Sequence, residues 1–202
     1  MPGPITHLQA AYYYNVSHKK RYNSALYLGS ISPDCVNING QAPKEVRWPA
    51  HLRCEDLDEW LANARRFYID NKSTADESFL KGYILHILSD IVWDKDFNLP
   101  LYKILLKDNV SKENLKQERW NELYGYEQTQ LKEDWFKNEV LPKLLIAKPQ
   151  QIGVLTEENI GVWQKKVVRL ELSQGKPPKF INYKLMNQFF CKVVMLSDEI
   201  LK

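Results

Sequence analysis

The chain has little of what marks a secreted, membrane-spanning or nucleic-acid-binding protein. It carries only three cysteines in 202 residues, Cys35, Cys54 and Cys191. An odd number without a CxxC spacing argues against both a disulfide framework and a thiolate zinc site, so reduced thiols are expected. No run approaches the roughly 18 apolar residues of a membrane span. The opening stretch MPGPITHLQAAYYYN has no basic segment followed by an apolar one, so the expectation is a soluble, cytoplasmic protein. With 28 basic against 25 acidic residues the net charge is only +3, which does not indicate a nucleic-acid partner. Strand-like alternation, internal repeats and low-complexity tracts are all missing, and oligomeric state is left open.

What is present is apolar and helical. A hydrophobic content of 44%, with 12% aromatic, is enough for a sizeable core. Apolar periodicity predicts helices at roughly 4–16, 20–29, 56–71, 75–95, 98–108, 112–132, 134–147, 156–173 and 182–200. The expected fold is therefore all-α: one domain over 1–202, with a half that bears candidate ligands (1–108) and a helical half that packs against it (109–202). Residues 30–54, punctuated by Pro33, Gly40, Pro43 and Pro49, read as one long irregular loop, and such loops tend to be functional.

The segment GYILHILSDIVWD, residues 82–94, places His86 and Asp90 inside an otherwise apolar helix. Thr74 and Glu77 look like the capping box that starts it. Burying an unpaired polar or charged group is costly, so something must satisfy these two. Gly82, His86, Ser89, Asp90, Trp93 and Asp94 share one helical face, and a His one turn before an Asp is how a helix presents metal ligands. A neutral His bonded to a core carboxylate is the structural alternative, and the pair alone does not separate the two.

All four histidines, His7, His18, His51 and His86, fall in the first 90 residues. His18 sits in the basic run HKKR and reads as a surface residue. Asp34 follows Ile31, Ser32 and Pro33 in a turned segment, and His51 ends the long loop just before a helix. Alone, each reads as an ordinary loop residue. Together, Asp34, His51, His86 and Asp90 make a nitrogen and oxygen donor set suited to zinc, and also to manganese or iron.

Taken in order, PGPITH at 2–7, LGSISPD at 28–34, the lone His51 and GYILHILSD at 82–90 resemble the small bacterial members of the zinc-dependent phospholipase C family. That family shares a superfamily with the single-strand-specific zinc nucleases. The resemblance implies an all-α fold around a metal cluster that hydrolyses phosphate esters. It also implies one zinc held by Asp34, His51, His86 and Asp90. A second would be held by His7, Asp90 and the amino terminus, which would be Pro2 if Met1 were removed. The family's secreted enzymes bind a further zinc through two later histidines and a carboxylate. This chain has no histidine after His86, so that site is missing or rebuilt from Asp94 and Asp96.

The expected function is thus a metal-dependent hydrolase of phosphoric esters, a phospholipase C-like phosphodiesterase using a zinc-bound water. One or two zinc ions are expected, with Asp34 orienting or deprotonating the water and Arg53 steadying a phosphate oxygen. Phospholipid, nucleotide and other phosphodiester substrates stay open. The alternative is a non-catalytic helical binding or regulatory protein with a residual structural metal site. Its second half would then offer Trp120, Trp135 and Trp163 to a partner. An HD-type phosphohydrolase is weaker, since no adjacent His-Asp pair occurs.

Overall fold

A computed structural model describes residues 2–19 and 23–202. Among them the chain is helical: α1 (Pro4–Ser17), α2 (Ser24–Ile31), α3 (Lys44–Ala50), α4 (Leu57–Asn71), α5 (Glu77–Val92), α6 (Asn98–Lys107), α7 (Leu115–Gln130), α8 (Leu141–Ile146), α9 (Glu157–Val168) and α10 (Tyr183–Ile200). The all-α expectation holds. The only extended pairing among the described residues is an isolated bridge between Ile152 and Leu155. No helix there is long and apolar enough to cross a membrane. The start of the helix expected at 20–29 lies outside the described residues, as does Met1.

Helix α5 is central, buried on every side from Phe79 to Val92, and it packs on α1, α2, α4 and α10. Its start differs from the expected capping box. Asp76 is the N-cap, its side chain accepting from the Phe79 amide at 2.8 Å, while Thr74 donates to the Asn71 carbonyl at the end of the preceding helix. Asp76 wins because it sits at the first helical turn itself, where a short carboxylate reaches an unsatisfied amide. At its far end α5 runs into a π-helical turn, Trp93–Phe97. The extra residue buries both Trp93 and Phe97 and turns their charged neighbours to different surroundings, as such bulges do beside functional sites.

The loop expected over 30–54 is more ordered than its prolines suggest. Ser32–Asn37 forms a 3-10 segment and Lys44–Ala50 a short helix. With seven residues and only Ala50 buried, α3 has no apolar period for sequence reading to detect. His51 caps it, and the chain reverses through Leu52 at φ 51°. The Arg53 amide then bonds the Trp48 carbonyl at 2.9 Å and the Leu52 amide bonds that of Pro49 at 3.2 Å. This pair of bonds closes a helix C-terminus around a left-handed residue, a place usually given to glycine. The Ala50 carbonyl accepts from the Tyr83 hydroxyl at 2.7 Å, and that of His51 from the Trp60 indole at 2.8 Å, so the backbone at His51 is pinned by α4 and α5.

Helices α2 and α5 cross so closely that a Cβ on Gly29 would collide with the Phe79 carbonyl oxygen, and one on Gly82 with that of Leu26. The second half clamps this core. Tyr126 and Gln130 of α7 bond the Gln9 side chain at 2.8 and 2.9 Å. Glu122 of α7 gathers the backbone amides of Lys179, Phe180 and Ile181. The collision makes a prediction. Gly82→Ala must push backbone against backbone, so it should destabilise the protein by about 3 kcal/mol or more, at or beyond the upper end for overpacked cores, as read from denaturant midpoints.

Candidate metal centre

Five side chains from four elements converge at the buried face of α5. His7 comes from α1, Asp34 from the 3-10 segment, His51 from the end of α3, and His86 and Asp90 from one face of α5. Their facing atoms lie at or just beyond the limit of hydrogen bonding. His7 Nε2 stands 3.6 Å from Asp90 Oδ1, His86 Nε2 3.7 Å and His51 Nε2 3.9 Å from Asp90 Oδ2, and His51 Nε2 3.4 Å from Asp34 Oδ1. The His7 and His86 rings stack with centroids 3.6 Å apart. Within the five, His7, Asp34 and His86 form one compact donor triplet, and His51, His86 and Asp90 another.

The outer ring nitrogens set the inner ones. His86 Nδ1 meets the Ser30 carbonyl at 2.8 Å and His51 Nδ1 that of Arg47 at 2.9 Å. A carbonyl can only accept, so each Nδ1 carries the proton and each Nε2 turns a lone pair inward, the arrangement that orients ligating histidines. The Nε2 atoms of His7, His51 and His86 and both Asp90 oxygens are buried with no hydrogen-bond partner. Buried polar atoms are otherwise almost always paired. Donors about 2.0–2.1 Å from a tetrahedral zinc stand about 3.4 Å from one another, close to the spacing found. The residues fit a metal, and zinc by their donor types.

Protonation follows burial and mutual repulsion. Burial, and then the charge on His51, hold His7 well below the usual imidazole range. Burial and the stacked His7 do the same for His86. Burial opposes the charged form of His51 as well, but Asp34 and then Asp90 outweigh it and raise its pKa. The converse holds at Asp34, where burial opposes the charged form but the adjacent His51, the charge of His86 and the Asn37 amide outweigh it and lower the carboxyl. Asp90, wholly enclosed, is pushed up to about 7 by burial.

The other sequence candidates lie elsewhere. Arg53 is outside the cluster, on the wall of the cavity that opens beside Asp34, and donates to Asp94 Oδ2 at 2.7 Å. Asp96 faces away from it, bonded to Lys192 at 2.7 Å, because the π-helical turn rotates it toward α10. The pair Asp94 and Asp96 therefore does not rebuild a third ion site. His18 bonds Asp198 at 2.7 Å, remote from the cluster as expected. One residue at the site carried no sequence signal. Glu127 of α7, with its carboxyl pushed up to about 7 by burial, accepts from the amide and hydroxyl of Thr6 at 2.8 and 2.7 Å. It holds the segment that presents His7. Its stretch, LKQERWNELYGYEQTQ, has acids and aromatics at every azimuth, so nothing distinguished it.

This geometry defines a class: a buried His/Asp cluster carried by helices, able to hold zinc. Residues 5–93 match the family model for zinc dependent phospholipase C, a span that runs from α1 through α5 and contains all five converging residues. The resemblance read from the motifs is thereby supported over that span. No curated protein and no solved structure matches the chain.

Two predictions follow from the electrostatics. His86→Ala should lower bound metal at least about tenfold, while His18→Ala leaves metal content unchanged; elemental analysis of the purified variants reads both. Asp90 separates metal binding from metal-free stability. Its folded pKa of about 7 lies above the roughly 3.9 of an unfolded aspartate. Between those values the folded state holds the extra proton, so stability falls as pH rises through that window. At pH 8, Asp90→Asn should thus raise the melting temperature of the metal-stripped protein while removing metal binding.

Proposed function

We propose that the protein is a zinc-dependent hydrolase of phosphoric esters, a phosphodiesterase like phospholipase C, built as one all-α domain over 1–202. Residues 1–108 carry the ligands and 109–202 close the cleft. The observation that carries this reading is the set of buried, partnerless atoms of His7, His51, His86 and Asp90 beside Asp34, which itself lines a cavity of about 520 Å³. A merely structural His-Asp pair would be hydrogen-bonded.

Asp34, His51, His86 and Asp90 would hold one zinc ion. His7 and Asp90 would hold a second, joined by the Pro2 nitrogen if Met1 is removed. Zinc bound there supplies a Lewis acid for a phosphoryl group and makes nearby water more acidic. Asp34 is the ligand that also lines the cavity. Its ionised carboxylate, steadied by the Asn37 amide at 3.0 Å, accepts a hydrogen bond from the attacking water and sets its direction. Arg53 stacks over Trp60 at 4.6 Å and is aligned by Asp94. Its guanidinium is held ready for a phosphate oxygen, a planar donor for a planar pair of acceptors.

The non-catalytic reading needs an exposed aromatic surface, and its tryptophans do not provide one. Trp163 is buried, while Trp120 is half-buried and stacked on Tyr124, and Trp135 is half-buried and packed at a tilt against Tyr12.

Elemental analysis of protein purified without added metal, followed by assay on a chromogenic phosphodiester, tests the proposal. About two zinc ions per chain and chelator-sensitive hydrolysis are expected, with kcat reduced about 10²-fold or more in Arg53→Ala. A metal-replete protein that hydrolyses no phosphodiester would make the site structural.

A further inference from the structure

Beyond the cluster, the cavity has a second wall built by α7, α9 and the segment after α9: Lys116, Arg119, Trp120, Trp163 and Lys166. Arg119 is only 7% exposed. Its one hydrogen bond to a side chain is to Asn98 Oδ1 at 3.0 Å. Among the described residues no carboxylate stands within ion-pair distance of it, and its Nε has no partner. A buried cation without an anion is costly and calls for one. Trp163, also 7% exposed, adds an indole N–H that is likewise without a partner.

The acids of the same cavity do not answer these cations. Asp34 belongs to the cluster, Asp94 is bonded to Arg53, and Glu127 is occupied by Thr6 with its carboxyl pushed up to about 7. Glu171 is exposed, 3.9 Å from Arg169. Lys166 bonds only the Ile38 carbonyl at 3.0 Å, and Lys116 is exposed at the rim.

The aromatic rings of this wall are not available to a cationic headgroup. A quaternary ammonium is held by open aromatic faces. Here the Arg119 guanidinium already lies 4.6 Å above the Trp120 ring and 5.6 Å from that of Tyr102, and Lys166 stands 5.9 Å from Trp163. A choline group would meet fixed positive charge instead of a cage.

We infer that Lys116, Arg119 and Trp163 form a subsite for a second anionic group on the substrate, a phosphate carried by the headgroup, the part that keeps the scissile phosphate when the other alcohol leaves. The substrate class is then a phosphodiester bearing a further phosphomonoester, whether on a lipid headgroup or on a soluble polyol. This rests on the phosphoesterase reading for its catalytic meaning but not for its binding.

Binding is tested on the protein as purified, in a phosphate-free buffer. Inorganic phosphate is titrated while the Trp163 indole proton, identified by its loss in Trp163→Phe, is followed by nitrogen-correlated NMR. The indole resonance should move with phosphate and stay still with choline chloride. Arg119→Gln should weaken the phosphate response about tenfold or more, Arg119→Lys much less. Lys116→Ala, an exposed change that leaves the core intact, should weaken it severalfold. An indole unmoved by phosphate, or phosphate affinity unchanged in both Arg119→Gln and Lys116→Ala, overturns the subsite.

Zinc-loaded protein is then assayed on phosphatidylcholine vesicles with and without a monophosphorylated phosphatidylinositol, and on the soluble glycerophospho form of that headgroup. Preferential cleavage of either phosphorylated substrate supports the inference and tells lipid from soluble source. Equal or better cleavage of phosphatidylcholine overturns it. Complete inactivity on every diester would defeat the catalytic reading alone, because the phosphate titration stands apart from it.

Discussion

The close crossing of α2 and α5 is the constraint on which the rest of the structure depends. Gly29 and Gly82 remove the only atoms that would hold these backbones apart. That approach brings the Ser30 carbonyl to 2.8 Å from His86 Nδ1, which fixes the tautomer and aims Nε2 at the cluster. It also sets the 3-10 segment carrying Asp34 directly over the same face of α5. A wider crossing would leave His86 rotating freely and Asp34 out of reach.

A metal-free cluster of this kind is under tension. Three imidazoles and two carboxylates are held in the core 3.4 to 3.9 Å apart, with most of their inner atoms left without a hydrogen-bond partner, and burial is the first cause that pushes Asp90 to about 7. Enough structure is built around them to keep them there. Tyr83 and Trp60 hold the carbonyls flanking His51, Arg47 holds its outer nitrogen, and Glu127 holds the turn before His7. This is the cost of preorganisation, and a divalent cation bound there would offset it by turning mutual repulsion into shared attraction.

The two halves contribute different chemistry to one cavity. The first half supplies inward lone pairs, which attract a cation. The second supplies Arg119, Lys116, Lys166 and the Trp163 N–H, which attract an anion. Between them the π-helical turn after α5 sorts Asp94 to Arg53 and Asp96 to Lys192, so the acid that remains in the cavity aligns a guanidinium instead of adding a ligand.

Sequence alone determined the helical class, because long apolar runs with period 3.6 have one stable solution; the polar pair inside the Phe79–Val92 helix marked His86 and Asp90, while Asp34, His51 and His7 joined them only through the ordered resemblance of their motifs. It misplaced the cap of α5 by two residues, at Thr74 instead of Asp76, since both offer oxygen acceptors and only the first turn's geometry separates them. It missed α3, whose seven residues bury one side chain and leave no period, and whose terminus places Leu52 where a glycine would have announced it. Glu127, Arg119 and Trp163 were invisible for a different reason. Their roles depend on which face of α7 or α9 meets α1 and the cavity, and in helices with charged and aromatic residues all round, that choice is made only by long-range packing.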